Sequence, residues 1–195
     1  IVESKWDGFS VGAHEDKMGI RGTRTSDLIF ENVKVPKENL LGGLGKGFKV
    51  MMNTLSSGRI GVAAQAVGVA QSALDEAIKY TQERVQFGKT LSKFQNTQFT
   101  IADMATKVEA ARLLVYQAAQ QKDNGQDPSL TSSMAKYYAA EVANEVAYKS
   151  LQLHGGYGFV KDYRIERIFR DARILPIYEG TSQVQQIVIA GNILK

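Results

Sequence analysis

Beyond Gly47 the chain is almost free of proline and repeats its apolar residues every three to four positions, and no other feature narrows its fold so far. Phe48, Met51, Met52 and Leu55, then Ile60, Ala64, Val67, Ala70, Leu74 and Ile78, predict one helix running to about Arg84. A second, from about Phe94 to Gln121, carries Phe99, Ile101, Met104, Val108, Ala111, Leu114 and Val115 on one side. Asn124-Gly125-Gln126-Asp127-Pro128 breaks the pattern, since asparagine and glycine suit a helix end and proline suits a helix start. A third helix is expected from Ser129 to about Leu153, ending at Gly155-Gly156, with shorter ones near 163–174 and 181–194. Long helices with short connections pack antiparallel, so the fold class is mainly α, an antiparallel up-and-down bundle of four-helix type. The Met51-Met52 pair reads as core.

Residues 1–43 differ in character. Phe9-Ser10-Val11, Asp27-Leu28-Ile29-Phe30 and Val33-Lys34-Val35-Pro36 have the alternation of short strands, separated by glycines. Three such strands are too few for an independent sheet, so 1–43 is expected to be the remnant of a β-domain and 44–195 a helical bundle domain. The opening Ile1-Val2-Glu3-Ser4-Lys5 has no initiator methionine and no targeting pattern, which predicts a chain that begins mid-protein.

Composition excludes several function classes. At 195 residues and 44% hydrophobic content the chain can bury a sizeable core, yet no apolar run approaches the ~20 residues of a bilayer-crossing helix. There is no cysteine, hence no disulfide, thiolate metal site or thiol nucleophile. His14 and His154 are far apart, so no histidine metal site is expected. A net charge of +4 with interleaved signs predicts a solvated surface rather than a nucleic-acid interface. Gly43-Leu44-Gly45-Lys46-Gly47 lacks the hydroxyl residue and glycine spacing of a phosphate loop and reads as a helix entry. Arg167, Arg170 and Arg173, interleaved with Glu166 and Asp171, read as structural ion pairing.

Pro176-Ile177-Tyr178-Glu179-Gly180-Thr181-Ser182-Gln183 carries the chemistry. A carboxylate on a glycine-containing turn between amphipathic stretches, with apolar neighbours that can raise an acid's proton affinity, is the setting of a general base. The competing reading of Glu179 is a charge that favours a helix N-terminus.

Four further blocks stand in order: Lys17-Met18-Gly19-Ile20-Arg21-Gly22 with Val35-Pro36 and Asn39-Leu40-Leu41-Gly42; Gly58-Arg59-Ile60-Gly61-Val62-Ala63; Arg84-Val85-Gln86-Phe87-Gly88-Lys89; and Gln152-Leu153-His154-Gly155-Gly156-Tyr157-Gly158-Phe159. With the glutamate motif they make the chain resemble the C-terminal part of the acyl-CoA dehydrogenases, flavoproteins that oxidise acyl-CoA thioesters to 2-enoyl-CoA thioesters, closest in character to the short-chain, butyryl-CoA branch.

The resemblance implies that Glu179 removes the proton beside the thioester carbonyl while a hydride leaves the next carbon for FAD. It implies that Arg59, Tyr178 and Gly180 meet the acyl-CoA substrate. Thr181 and Gln183 would contact FAD of their own subunit, and Arg84, Gln86, Phe87, Gln152, Gly155 and Gly156 the FAD of a neighbour. Thr181 is also a natural helix N-cap, and Arg84 offsets a helix C-terminus whatever else it does. Some members of the family place their base just before the arginine of the long first helix; here Gly58 holds that place, which leaves the role to Glu179. Ser56-Ser57-Gly58 lacks the acidic residue that often precedes this arginine.

The resemblance further implies a short or medium acyl chain, a homotetramer formed through the bundle, and electron-transferring flavoprotein as electron acceptor. A bacterial cytoplasm or a mitochondrial matrix would be the compartment. Two other readings stay open: an acyl-CoA oxidase, against which the chain's end at Leu194-Lys195 argues, and a non-catalytic helical oligomerisation module for this polypeptide by itself.

Overall fold

The structure is a computed structural model that describes residues 1–195, the side chain of Ser56 excepted. The chain divides into two compact units, Ile1–Leu55 and Ser56–Lys195.

In the first unit β1 (Phe9–Val11) pairs antiparallel with β2 (Leu28–Phe30), Phe9 opposite Phe30, and the two rings meet edge to face at 5.3 Å. The stretch 33–36 expected as a third strand joins no ladder among the described residues. Pro36 has no N–H to donate, and instead it leads into a 3-10 turn at Lys37–Asn39.

The helices are α1 (Gly47–Glu83), α2 (Gln95–Asp123), α3 (Ser129–His154), α4 (Ile165–Ala172) and α5 (Ser182–Ile193). Between α1 and α2 lies a hairpin, β3 (Val85–Gln86) and β4 (Lys89–Thr90), turned through Phe87 and Gly88, whose φ values of 51° and 78° are both left-handed as a tight hairpin requires.

Side-chain bonds fix the directions within the second unit. Ser57 and Gln71 of α1 are bonded to Lys122 and Arg112 of α2, so residue numbers rise along one as they fall along the other. Thr131, Glu145 and Lys149 of α3 meet Gln121, Lys107 and Asp103 of α2 in the same inverted order. Ser182 and Gln186 of α5 meet Glu141 and Tyr137 of α3, again inverted. The result is the up-and-down arrangement that the helix lengths predict.

Alanine supplies more of the buried positions of this bundle than do the bulky residues that dominate the hydropathy pattern. On α1 the buried seam is Ala63, Ala66, Ala70, Ala73 and Ala77, spaced alternately three and four apart; Met104, Val108, Ala111, Val115 and Ala118 repeat that spacing on α2. Small side chains let helix axes approach near the lower end of the ~8–10 Å range, where backbones touch. Ser150 of α3 uses that closeness to donate its hydroxyl to the Ala73 carbonyl at 2.7 Å. Several apolar residues of the expected pattern face outward instead: Ala64 is exposed, Met51 is not core, and Phe99 is 62% exposed. Among the described residues no helix is long and apolar enough to cross a membrane.

Candidate functional site

α4 ends at Ala172 and α5 begins at Ser182, and the loop between them carries Glu179. Thr181 starts α5 by accepting the Val184 N–H on its side-chain oxygen at 3.3 Å, a cap worth about 1 kcal/mol. Upstream the Ser182 N–H closes on the Pro176 carbonyl at 2.9 Å. Between these ties Glu179 is held at φ 54° and Gly180 at φ 90°. Glycine accepts that conformation freely; for a glutamate it is a strained state costing on the order of 1–3 kcal/mol, which persists only where the surroundings enforce it.

What it achieves is the direction of the carboxylate. Glu179 Oε2 is buried and bonds to nothing among the described residues. It lies against α1 at Gly58: a Cβ there would come within 2.8 Å of Oε2 and 3.2 Å of the carboxyl carbon. Gly58 therefore leaves the space into which the carboxylate fits.

Charged and polar groups enclose the loop. Arg59, next along α1, is 4% exposed; it donates to the Ser133 hydroxyl at 3.4 Å, and its Nε has no partner among the described residues. Burial pulls its pKa down, and the charge of Glu179 opposes that shift. Lys136, wholly buried on α3, donates to the Gly180 carbonyl at 2.7 Å. Gln185 Nε2 donates to the Glu179 and Gly180 carbonyls at 3.2 and 3.0 Å, leaving its own Oε1 unbonded among the described residues. Tyr178 donates its hydroxyl to Gln65 Oε1, and burial pushes its pKa up. Three buried polar atoms without partners among the described residues, on Arg59, Glu179 and Gln185, around a strained loop make this the candidate site.

Lys136 gives this cluster a measurable signature. Burial lowers its pKa from the ordinary 10.5 to about 8, against the pull of Glu141 and with the help of Arg59's charge; Glu179 pulls the same way as Glu141. Because the unfolded chain holds this proton more tightly, the burial penalty is present in full below pH 8 and is relieved as pH rises toward 10.5. The unfolding free energy should therefore rise across that window relative to a Lys136→Met variant, which urea denaturation at stepped pH will read as a difference between the two proteins.

A second group of expected site residues gathers at the far end of α3. Arg84, Gln86, Gln152, Gly155 and Gly156 line a recess of 490 Å³ together with Tyr80, His154 and Tyr157. The Arg84 guanidinium lies over the Tyr157 ring at 5.2 Å, and His154 stacks on Tyr80 with ring centroids 4.2 Å apart. His154 Nδ1 is 2.7 Å from the Ser150 carbonyl, which can only accept, so Nδ1 carries the proton; burial lowers the pKa of this ring. Phe87 is not part of that lining: at the hairpin tip it is 93% exposed, its ring near-perpendicular to that of Phe94 at a centroid distance of 6.4 Å. Thr181 and Gln183 line a third, smaller hollow with Glu141, Asn144 and Arg173.

Sequence reasoning missed Lys136 and Gln185. A signal was present for the lysine, which continues the buried register of α3 formed by Ala139, Ala140, Ala143, Ala147 and Ser150.

Residues 45–194 match the family described as acyl-CoA dehydrogenase, C-terminal domain. The chain belongs to the acyl-CoA dehydrogenase family. It is 58% identical over 195 residues to the caffeyl-CoA reductase-Etf complex subunit CarC of Acetobacterium woodii, all of this chain matching 52% of that protein. It is 50% identical to the short-chain specific acyl-CoA dehydrogenase of Clostridium acetobutylicum, again all of this chain and 52% of that one. The solved structure of butyryl-CoA dehydrogenase from Megasphaera elsdenii superimposes on the whole chain with a TM-score of 0.98 at 49% identity and is covered to 51%. The chain thus spans about half the length of the curated relatives it matches, and its helical bundle is the C-terminal domain fold of acyl-CoA dehydrogenases.

Proposed function

We propose that the protein to which this chain belongs is an FAD-dependent acyl-CoA dehydrogenase that interconverts an acyl-CoA and its 2-enoyl-CoA, with Glu179 exchanging the α-proton. The observation that carries this reading is the buried Oε2 of Glu179, unbonded among the described residues and lying at the gap left by Gly58. A carboxylate oxygen with no donor on it among the described residues is free to take a proton from a carbon acid, for which it need only be within contact of the reacting C–H.

Arg59 and the Glu179 backbone, both beside that carboxylate, would orient the thioester end of the substrate, with Tyr178 and Gly180 as its walls. Arg59 Nε and Gln185 Oε1, without partners among the described residues, are available to polar groups brought by ligands. The Arg84 fork can give two parallel hydrogen bonds to a pyrophosphate, while Gln152 and the side-chain-free backbone of Gly155-Gly156 suit the close approach of an adenosine end. Arg84, Gln86, Gln152, Gly155 and Gly156 would hold FAD of a neighbouring subunit, and Thr181 and Gln183 that of their own. Phe87, exposed at the hairpin tip, would complete the neighbour's site only on assembly into a tetramer. FAD, when bound, supplies the two-electron acceptor for the β-hydride. Electron-transferring flavoprotein is the proposed redox partner.

The relative at 58% identity favours a second reading of direction, since it bears the name of a CoA-thioester reductase within an Etf complex. Run that way, protonated Glu179 returns its proton to the α-carbon, and the substrate would be a 2-enoyl-CoA, aryl-substituted or short. Anaerobic mixing of the full-length flavoprotein with butyryl-CoA, and of its reduced form with crotonyl-CoA or cinnamoyl-CoA, tests both readings. Bleaching in the first case or recolouring in the second is the expected result, and the faster half-reaction assigns the direction. A flavin that responds to none of the three thioesters would overturn the proposal.

A further inference from the structure

The left-handed backbone of Glu179 needs a cause outside the loop, and the structure offers one that the reaction does not itself require. Two side chains hold the two carbonyls at the strained turn through three hydrogen bonds: Lys136 Nζ on the Gly180 oxygen at 2.7 Å, and the Gln185 amide on the Gly180 and Glu179 oxygens at 3.0 and 3.2 Å. The lysine bond is the shortest and carries a charge, which makes it the strongest of the three. It is also costly to keep. Lys136 has no exposed surface, and among the described residues no carboxylate lies within ion-pairing distance of its ammonium. Its neighbours along the same face of α3 are Ser132, Ser133, Ala139 and Ala140, where another small residue would pack with less loss.

We propose that Lys136 is the positioning residue of this loop: by clamping the Gly180 carbonyl from α3, it fixes Glu179 in its left-handed conformation and so holds the carboxylate against Gly58. Among the described residues Lys136 forms no ion pair with the Glu179 carboxylate; it acts through the peptide that follows Glu179. Arg59 on α1, Glu141 on α3 and Glu179 on the loop are the charges that face it, and of the three only Arg59 repels it. Release of the clamp leaves the single Gln185 side chain to hold both carbonyls, and the Glu179 backbone relaxes out of the strained region.

This inference deepens the proposed function and rests on it for the kinetic part of its test. In the full-length holoenzyme, Lys136→Met keeps the side-chain volume and removes the donor. The limiting rate of flavin bleaching by acyl-CoA should fall about 10–100-fold, as a misplacement of about 1 Å does, while the dissociation constant for acyl-CoA changes less than threefold. Amide hydrogen exchange in the segment 177–183 should quicken at least about tenfold, with the α2–α3 core as slow as in the unaltered protein. In Lys136→Ala, added n-propylammonium should restore part of the rate and the slow exchange; should the Met variant not fold, refolding the Ala variant with propylammonium present makes the same measurement. A Lys136→Met enzyme with unaltered bleaching, or with unaltered exchange in 177–183, overturns the proposal, and so does a loss shared equally by the rate, the affinity and the core. Hydrogen exchange needs no substrate. If the unaltered enzyme bleaches with no acyl-CoA, the functional reading falls by itself and the exchange of 177–183 still decides the role of Lys136.

Discussion

Glu179→Gln in the full-length enzyme will retain its yellow flavin, bind acyl-CoA with an affinity close to that of the parent, and lose flavin bleaching by about 10²–10⁴-fold. The amide has nearly the shape of the carboxylate, so it fits the gap at Gly58 without strain, and the site loses only its capacity to take a proton. The loss should appear in kcat and kcat/KM together, because the missing interaction exists only as the α-proton moves. Rapid-mixing absorbance with butyryl-CoA measures the rate, and equilibrium titration measures the affinity. Bleaching at the parental rate would remove Glu179 from the reaction.

Gly58→Ala is predicted to move stability and activity in opposite directions. Residue 58 lies inside α1, where alanine is favoured over glycine by about 0.8–1.0 kcal/mol. The added Cβ would stand 2.8 Å from Glu179 Oε2, closer than such atoms approach, and the neighbour that must give way is the far end of a flexible side chain. Yielding costs the fold little and the reaction much, since a displacement of ~1 Å is enough for a loss of about 10²-fold in rate. The expected variant unfolds at the same or a higher urea concentration than the parent, and its bleaching is about 10–100-fold slower. A variant that is destabilised yet fully active would show that the carboxylate does not occupy this space.

These two residues also show which part of the site is readable from sequence. Glu179 stands out because the ordered blocks around it name the chemistry; its own motif reads equally as a charge that favours a helix N-terminus. Gly58 could be read only as the absence of a competing base; that its missing side chain is room for Glu179 comes from a contact between residues far apart in sequence. Lys136 was hidden for a different reason. A lysine in a helix is ordinarily solvated, and only the alanine register of α3 places this one on the inner face.

The same logic sorts the fold. Helix positions were legible because a 3.6-residue period is long-lived in a 37-residue helix such as α1. The β3–β4 hairpin was not, because two-residue strands carry no period and its turn uses a phenylalanine at φ 51°. Core membership was misjudged at Phe99 and Met51 because hydropathy weights large side chains, whereas a closely packed bundle selects small ones such as Ala70 and Ala143.

The claim on which all of this depends is that Glu179 is the group that exchanges the substrate's α-proton. An acyl-CoA in which sulfur replaces the β-carbon cannot lose a hydride, so its α-protons report the base alone. Incubated in D₂O with the full-length enzyme, this thioester should exchange its α-protons, seen by NMR, at least about 10²-fold faster than with Glu179→Gln. Equal exchange with the two proteins would contradict the account.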